Sequence, residues 1–233
     1  MIPAMAKAGF HVYVPDLPGY GRSSKPAEAS YSIAMEEAAV VAFAKAVHLS
    51  RADVGGWSMG GWISMMLTLD HPEMVDRLVV YDSAGIYFPA DFGAELFVPG
   101  DAPGVTQLMK VLSPHPGPMP EFVMRAVLRK VAQNGWVVRR SMAEMTTGRD
   151  LLDFRLHDIH QPTLVVWGAD DELIPLSVGK KIHEEISNSS LAVIDGCGHL
   201  APLECSDPVV EATEKFLRTP QPTRASESML ASH

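Results

Sequence analysis

The sequence predicts an α/β fold: a mostly parallel sheet of about five strands flanked by helices, with a helical lid inserted in its middle. Three observations predict it. Short β-branched runs alternate with helix-period runs through the first third of the chain and again through the last, and such alternation lays strands side by side in parallel with helices packed across them. The middle third breaks this alternation with a Gly- and Pro-rich stretch followed by two amphipathic segments. Finally, 233 residues with 47% apolar and 20% charged content are enough for one large core.

In chain order, Ile2 to Phe10 reads as the last turns of a helix closed by Gly9. His11 to Leu17 is β-branched and aromatic, a predicted strand, and Pro18-Gly19-Tyr20-Gly21-Arg22-Ser23-Ser24 is the loop after it. Ser32 to Val47 spaces Ile33, Val40, Val41, Ala44 and Val47 at a helical period, with Ser30 or Ser32 as its cap. A strand over Ala52 to Trp57, a helix from Met59 to about Asp70 stopped by His71-Pro72, and a strand over Arg77 to Asp82 follow. Glu121 to Ala132 and Trp136 to Thr146 are the two helices of the lid. The alternation then resumes with a strand at Pro162 to Trp167, a helix near Ser177 to Ile186, a strand at Ser190 to Ile194 and a last helix from about Asp207 to Arg218. The expected organisation is a core in two parts, 1–86 and 151–218, a lid over 87–150, and a disordered tail over 219–233.

Charge and composition narrow the function classes. Nineteen Lys and Arg against 28 Asp and Glu leave a net charge of −9 with no basic run, which argues against nucleic acid and anionic membranes as partners. No apolar run reaches the ~18 to 20 residues of a membrane span, and the first residues carry no targeting pattern. Two cysteines, Cys197 and Cys205, lack C-x-x-C spacing, so the expectation is a buried thiol at Cys197 and a reducing, cytoplasmic setting. Oligomeric state is left open.

The chemistry centres on Gly56-Trp57-Ser58-Met59-Gly60, which fits G-x-S-x-G between a predicted strand and a predicted helix. A tight turn there needs small residues on either side of the serine, and it sets Ser58 at a helix N-terminus where the Met59 N–H can face an oxyanion. A serine hydroxyl is a weak nucleophile, so the pattern calls for a carboxylate and a histidine further along. Gly168-Ala169-Asp170-Asp171-Glu172 and Asp195-Gly196-Cys197-Gly198-His199 each follow a predicted strand, in that order. Taken alone, the acidic run reads as a solvated helix cap and His199 as a packed loop residue. Asp82, at the end of its own strand, is an alternative acid. Arg139 and Arg140 read as a solvated helix face, with a substrate carboxylate as the other reading. Met65 and Met66 fill the core, whereas Met109, Met119, Met124, Met142 and Met145 suit an adaptable pocket under the lid.

With these motifs in place, the chain resembles the lidded serine hydrolases of the α/β-hydrolase superfamily, from Met1 to about Arg218. Four separated matches carry the resemblance: Asp16-Leu17-Pro18-Gly19-Tyr20-Gly21-Arg22-Ser23, Gly56 to Gly61, Gly168 to Pro175, and Gly198-His199 with Glu204 following. It implies Ser58 as nucleophile, Asp171 as triad acid, His199 as base and Met59 N–H as oxyanion donor, with no metal or organic cofactor. It also implies a second oxyanion donor from a His-Gly loop that the sequence does not contain. The expectation is therefore an N-terminally truncated form of the fold, with Met1 an internal methionine or the start of a shortened variant. The leading functional expectation is hydrolysis of a small acyl substrate, most simply a carboxylic ester. The alternatives are a carbon–carbon bond hydrolase of ring-cleavage products, disfavoured by Trp57 where many such enzymes carry Asn, and a non-catalytic binding module.

Overall fold

The computed structural model describes residues 1–220; the expected disordered tail falls almost wholly outside them. Four strands form one sheet in the order β1-β2-β3-β4, all parallel: β1 (Ala52–Trp57), β2 (Val75–Tyr81), β3 (Thr163–Gly168) and β4 (Ser189–Ile194). Tyr81 stands opposite both Trp57 and Val166, and Gly168 opposite Ile194, so the C-terminal ends of the strands lie along one edge. Open α/β sheets hold their sites at that edge.

Helices cover both faces. On one, α3 (Met59–Asp70) and α6 (Leu176–Glu185) bury Trp62, Met65, Val178 and Ile182 against Leu78, Val80, Val165 and Trp167. On the other, α8 (Ser206–Arg218) buries Val209 against Val79, Tyr81, Leu164 and Val166. Adjacent residues of β2 and β3 thus alternate between two cores, which is why β2 is apolar from Leu78 to Tyr81 and β3 from Leu164 to Trp167. At the front, α1 (Ile2–Lys7) packs on α8, with Arg218 donating to the Ala8 carbonyl at 2.6 Å. It ends as the sequence predicts, with Gly9 at φ +97°. Packed on α3 is α2 (Ile33–Ala46), capped by Ser32 through the Met35 N–H at 3.2 Å.

Three expectations need correction. His11 to Leu17 is extended but joins no ladder, so the sheet has four strands rather than about five. Its composition is right for a strand, yet no strand among the described residues takes its backbone groups, and Val14 is left 62% exposed. Second, the two helices expected between Glu121 and Thr146 are one helix, α5 (Glu121–Met145). Gly135, in the gap left between the two expected helices, sits where a Cβ would collide with Val98, so it serves close packing within one continuous helix. A further helix, α4 (Ala102–Leu112), lies in the stretch read as Gly/Pro loop. Asp101 caps it through the Gly104 N–H at 2.9 Å, and Pro103 sits in its first turn, a start signal visible in the sequence.

Third, Cys197 and Cys205 form a disulfide with Cα atoms 6.4 Å apart. The short helix α7 (Ala201–Glu204) folds the chain back between them. The expected free thiol at Cys197 is therefore absent, and with it goes the basis for a reducing compartment. Among the described residues no helix is long and apolar enough to cross a membrane.

Candidate active site

Ser58 occupies the turn between β1 and α3 at φ 54° and ψ −119°, a region a non-glycine residue adopts only when its surroundings hold it there. The surroundings do so with main-chain bonds. Ser58 N–H donates to the Tyr81 carbonyl at 2.9 Å, and the Ser58 carbonyl accepts from Gly61 at 3.0 Å and Ala84 at 3.2 Å. A Cβ on Gly56 would collide with the Gly60 carbonyl, and one on Gly61 with Ser83. Gly60, by contrast, has open space around it, so the tight packing expected of the glycine two after the serine is displaced to Gly61.

The acid and the histidine arrive on the loops after β3 and β4. Asp171 is buried, and its Oδ1 accepts from the N–H groups of Leu173 and Ile174, each at 2.9 Å. That leaves Oδ2 for His199 Nδ1 at 2.8 Å. An ionised carboxylate only accepts, so the imidazole proton sits on Nδ1 and the opposite nitrogen is free to accept. His199 Nε2 lies 2.9 Å from Ser58 Oγ, and the ring is 2% exposed. Met59 opens α3, and its N–H has no acceptor among the described residues. Three loops from separate stretches of chain thus bring Ser58, His199 and Asp171 into one hydrogen-bonded row.

Asp82 stands apart from that row. Its Oδ1 accepts from Gly168 N–H at 2.7 Å, Oδ2 has no partner among the described residues, and burial pushes its carboxyl up to about 8, a shift opposed by the Gly168 bond and reinforced by Asp171. Arg139 is held by Glu95 in a two-pronged pair at 3.0 and 2.8 Å, and Arg140 donates to the Ala27 and Ala29 carbonyls. Trp57, unremarked in the sequence except for its identity, donates from Nε1 to the His199 carbonyl at 2.7 Å. A cavity of about 420 Å³, lined by Asp91, Phe92, Leu96, Gln107, Val111 and Glu172, lies between α4 and the loop carrying Asp171. No group of three or more His, Cys, Asp or Glu among the described residues is arranged to hold a metal ion.

The family described as alpha/beta hydrolase fold matches residues 1–204. This chain belongs to it. Among other α/β hydrolases, the 2-hydroxymuconate semialdehyde hydrolase of Pseudomonas putida is 28% identical over 215 residues, which cover 88% of this chain and 76% of that protein. A mutant of the meta-cleavage product hydrolase CumD from Pseudomonas fluorescens, complexed with acetates, superposes with a TM-score of 0.83 over 93% of this chain and 82% of its own. At 23% identity it shares the fold. A bacterial membrane phospholipase A is 26% identical, with a TM-score of 0.79 over 87% of this chain and 68% of its own.

Proposed function

We propose that this α/β hydrolase is a serine hydrolase that cleaves a carbon–carbon bond in a ring-cleavage product, a 2-hydroxy-6-oxodienoate-type compound, with the helices between β2 and β3 as its lid. The observation that carries the reading is the row Ser58 Oγ, His199 Nε2 and Nδ1, and Asp171 Oδ2, at 2.9 and 2.8 Å, in a chain whose relative is named for hydrolysis of 2-hydroxymuconate semialdehyde.

The chemistry runs through an acyl-enzyme. Ser58 Oγ attacks the 6-oxo carbon while its proton passes to His199 Nε2, and Asp171 stabilises the imidazolium through Nδ1. Met59 N–H donates to the oxyanion. When that intermediate collapses, the carbon–carbon bond breaks and its electron pair goes to a carbon conjugated with the 2-oxo acid in the substrate's keto form. That carbon takes the proton from His199. Water, deprotonated by the same histidine, then releases the acyl group from Ser58.

Carboxylic ester hydrolysis is the second reading, and one observation favours it. A bacterial membrane phospholipase A, named for an ester-cleaving activity, is 26% identical to this chain. The deciding experiment offers the purified protein 2-hydroxymuconate semialdehyde and p-nitrophenyl butyrate side by side. Loss of the dienoate absorbance with formation of the oxo-acid, abolished in Ser58→Ala, is the expected result. Turnover of the ester alone replaces it with the second reading. No turnover of either, with no fluorophosphonate label on Ser58, makes the chain a non-catalytic member of its family.

A further inference from the structure

We propose that Asp82 is a positioning residue for the Asp171–His199 pair, tying the end of β2 to Gly168 at the point where the loops carrying the two residues meet. The proposal rests on the hydrolase reading above. Its starting point is an interruption in the β2–β3 ladder. Asp82 N–H donates to the Val166 carbonyl at 3.0 Å, which in a parallel ladder pairs Asp82 with Trp167 and would send the next bond, from Gly168 N–H, to the Asp82 carbonyl. Asp82 instead adopts φ +43°, and its side-chain Oδ1 takes the Gly168 N–H at 2.7 Å. A carboxyl thus replaces a main-chain carbonyl at the last rung, in a residue with 0% exposure.

Gly168 is the junction of the two loops. A Cβ there would collide with the carbonyls of Cys197 and Gly198, so the end of β3 lies directly against the backbone leading into His199. Asp170 N–H donates to the Cys197 carbonyl at 3.0 Å and Ala169 N–H to the Ile194 carbonyl at 2.9 Å. Three residues beyond Gly168, Asp171 holds His199 Nδ1. A shift of Gly168 therefore moves donor and acceptor of that bond by different amounts, and an ångström-scale displacement in such a constellation is costly to turnover.

Two carboxyl groups lie close together in this cluster. The ionisable groups in it are Asp82 just after β2, Asp171 from the loop after β3 and, through Asp171, His199 from the loop after β4. Tyr81, next to Asp82, turns its hydroxyl to Thr213 on α8 at 3.0 Å. Burial and the nearby Asp171 hold Asp82 in its protonated form up to about pH 8. Its acceptor oxygen faces Gly168.

Asp82→Asn keeps the acceptor and abolishes the titration, whereas Asp82→Ala removes both. Three readouts are taken on folded protein: kcat and KM across pH 6 to 9.5, the rate of fluorophosphonate labelling of Ser58, and the low-field proton NMR signal of His199 Nδ1–H. The wild type should show a step in kcat/KM with a midpoint near pH 8, in either direction, that Asp82→Asn lacks. At pH 7, Asp82→Asn should stay within about threefold of wild type with the low-field signal in place. Asp82→Ala should lose at least tenfold in kcat at unchanged KM, label more slowly by the same factor and lose or shift that signal. Asp82→Asn falling as far as Asp82→Ala, or both matching wild type with the pH 8 step retained, overturns the proposal. If Asp82→Ala does not fold, the pH profile and NMR signal of Asp82→Asn decide alone. A wild type that never labels at Ser58 refutes the hydrolase reading instead, a result distinct from labelling that the variants leave unchanged, and the NMR comparison still tests the tie.

Discussion

Trp57 Nε1 donates to the main-chain carbonyl of His199 at 2.7 Å, and the two rings tilt across one another with centroids 5.3 Å apart. The residue before the proposed nucleophile thereby braces the residue proposed as its base. Trp57→Phe keeps an aromatic ring but removes the donor. One hydrogen bond of this kind contributes about 0.5 to 1.5 kcal/mol, so kcat should fall roughly three- to tenfold while KM stays near wild type. Steady-state kinetics on whichever substrate is turned over checks this, and an unchanged kcat would show that the brace is dispensable.

The two glycines that flank Ser58 in the motif should respond in opposite ways. Gly56→Ala drives a Cβ into the rigid main chain at Gly60 and Gly61, and should cost about 3 kcal/mol or more, visible as a lost or strongly lowered melting transition. Gly60→Ala meets nothing within 4 Å and lies in the first turn of α3. Alanine is the better helix former there by up to about 1 kcal/mol, so Tm should hold or rise by about 2 to 4 °C.

The disulfide closes a ring that contains His199. A loop of this length restricts the unfolded chain by about 2 to 3 kcal/mol on the chain-entropy account. Dithiothreitol should therefore lower the Tm of the wild type and its activity together. Cys205→Ser should start at the lowered values and show no further response to the reductant. A wild-type Tm indifferent to reduction would count against a structural role for the bond.

Glu36 on α2 is fully buried with neither carboxyl oxygen partnered among the described residues, and burial raises it from 4.5 to about 7. The unfolded chain ionises this group near its ordinary value while the folded chain still holds the proton, so stability is full below about pH 4.5 and is lost as pH rises toward 7. Glu36→Gln escapes that loss. Denaturant titrations should show the variant gaining on wild type by on the order of 2 kcal/mol between pH 4.5 and pH 7.5. A difference that is the same at both values would mean Glu36 is charged in the folded state.

The parts of this protein that were legible in its sequence are those that rest on local rules. β1 and α3 begin and end where predicted, because G-x-S-x-G forces a turn after a strand and His71-Pro72 stops the helix that follows. The chain order Ser58, Asp171, His199 was legible for a related reason, since each residue follows a strand end and parallel strands bring their ends to one edge. What escaped depends on contacts between distant segments. A strand-like composition at His11 to Leu17 says nothing about whether a partner exists for its backbone. The gap left between the two expected lid helices holds Gly135, whose close packing against Val98 no local rule reveals. The Trp57 brace joins residues 142 positions apart, and the tie from Asp82 to Gly168 spans 86. The pairing of Cys197 with Cys205 needed the turn of α7, a four-residue helix too short to announce itself. The preference for an ester over a ring-cleavage product rested on the single residue Trp57, whose side chain in fact serves the histidine loop.

The end of α4 reaches the histidine loop. Leu200 N–H donates to the Leu112 carbonyl at 3.2 Å, and a Cβ on Gly198 would lie 2.7 Å from Pro114 Cδ. The last turn of α4 and the residues just after it are therefore bonded and packed onto the two neighbours of His199 in sequence. A displacement of α4 is therefore felt directly by the histidine loop. The loop carrying the imidazole is thereby fixed from two distant stretches of chain, by α4 at its flanks and by Trp57 at the His199 carbonyl.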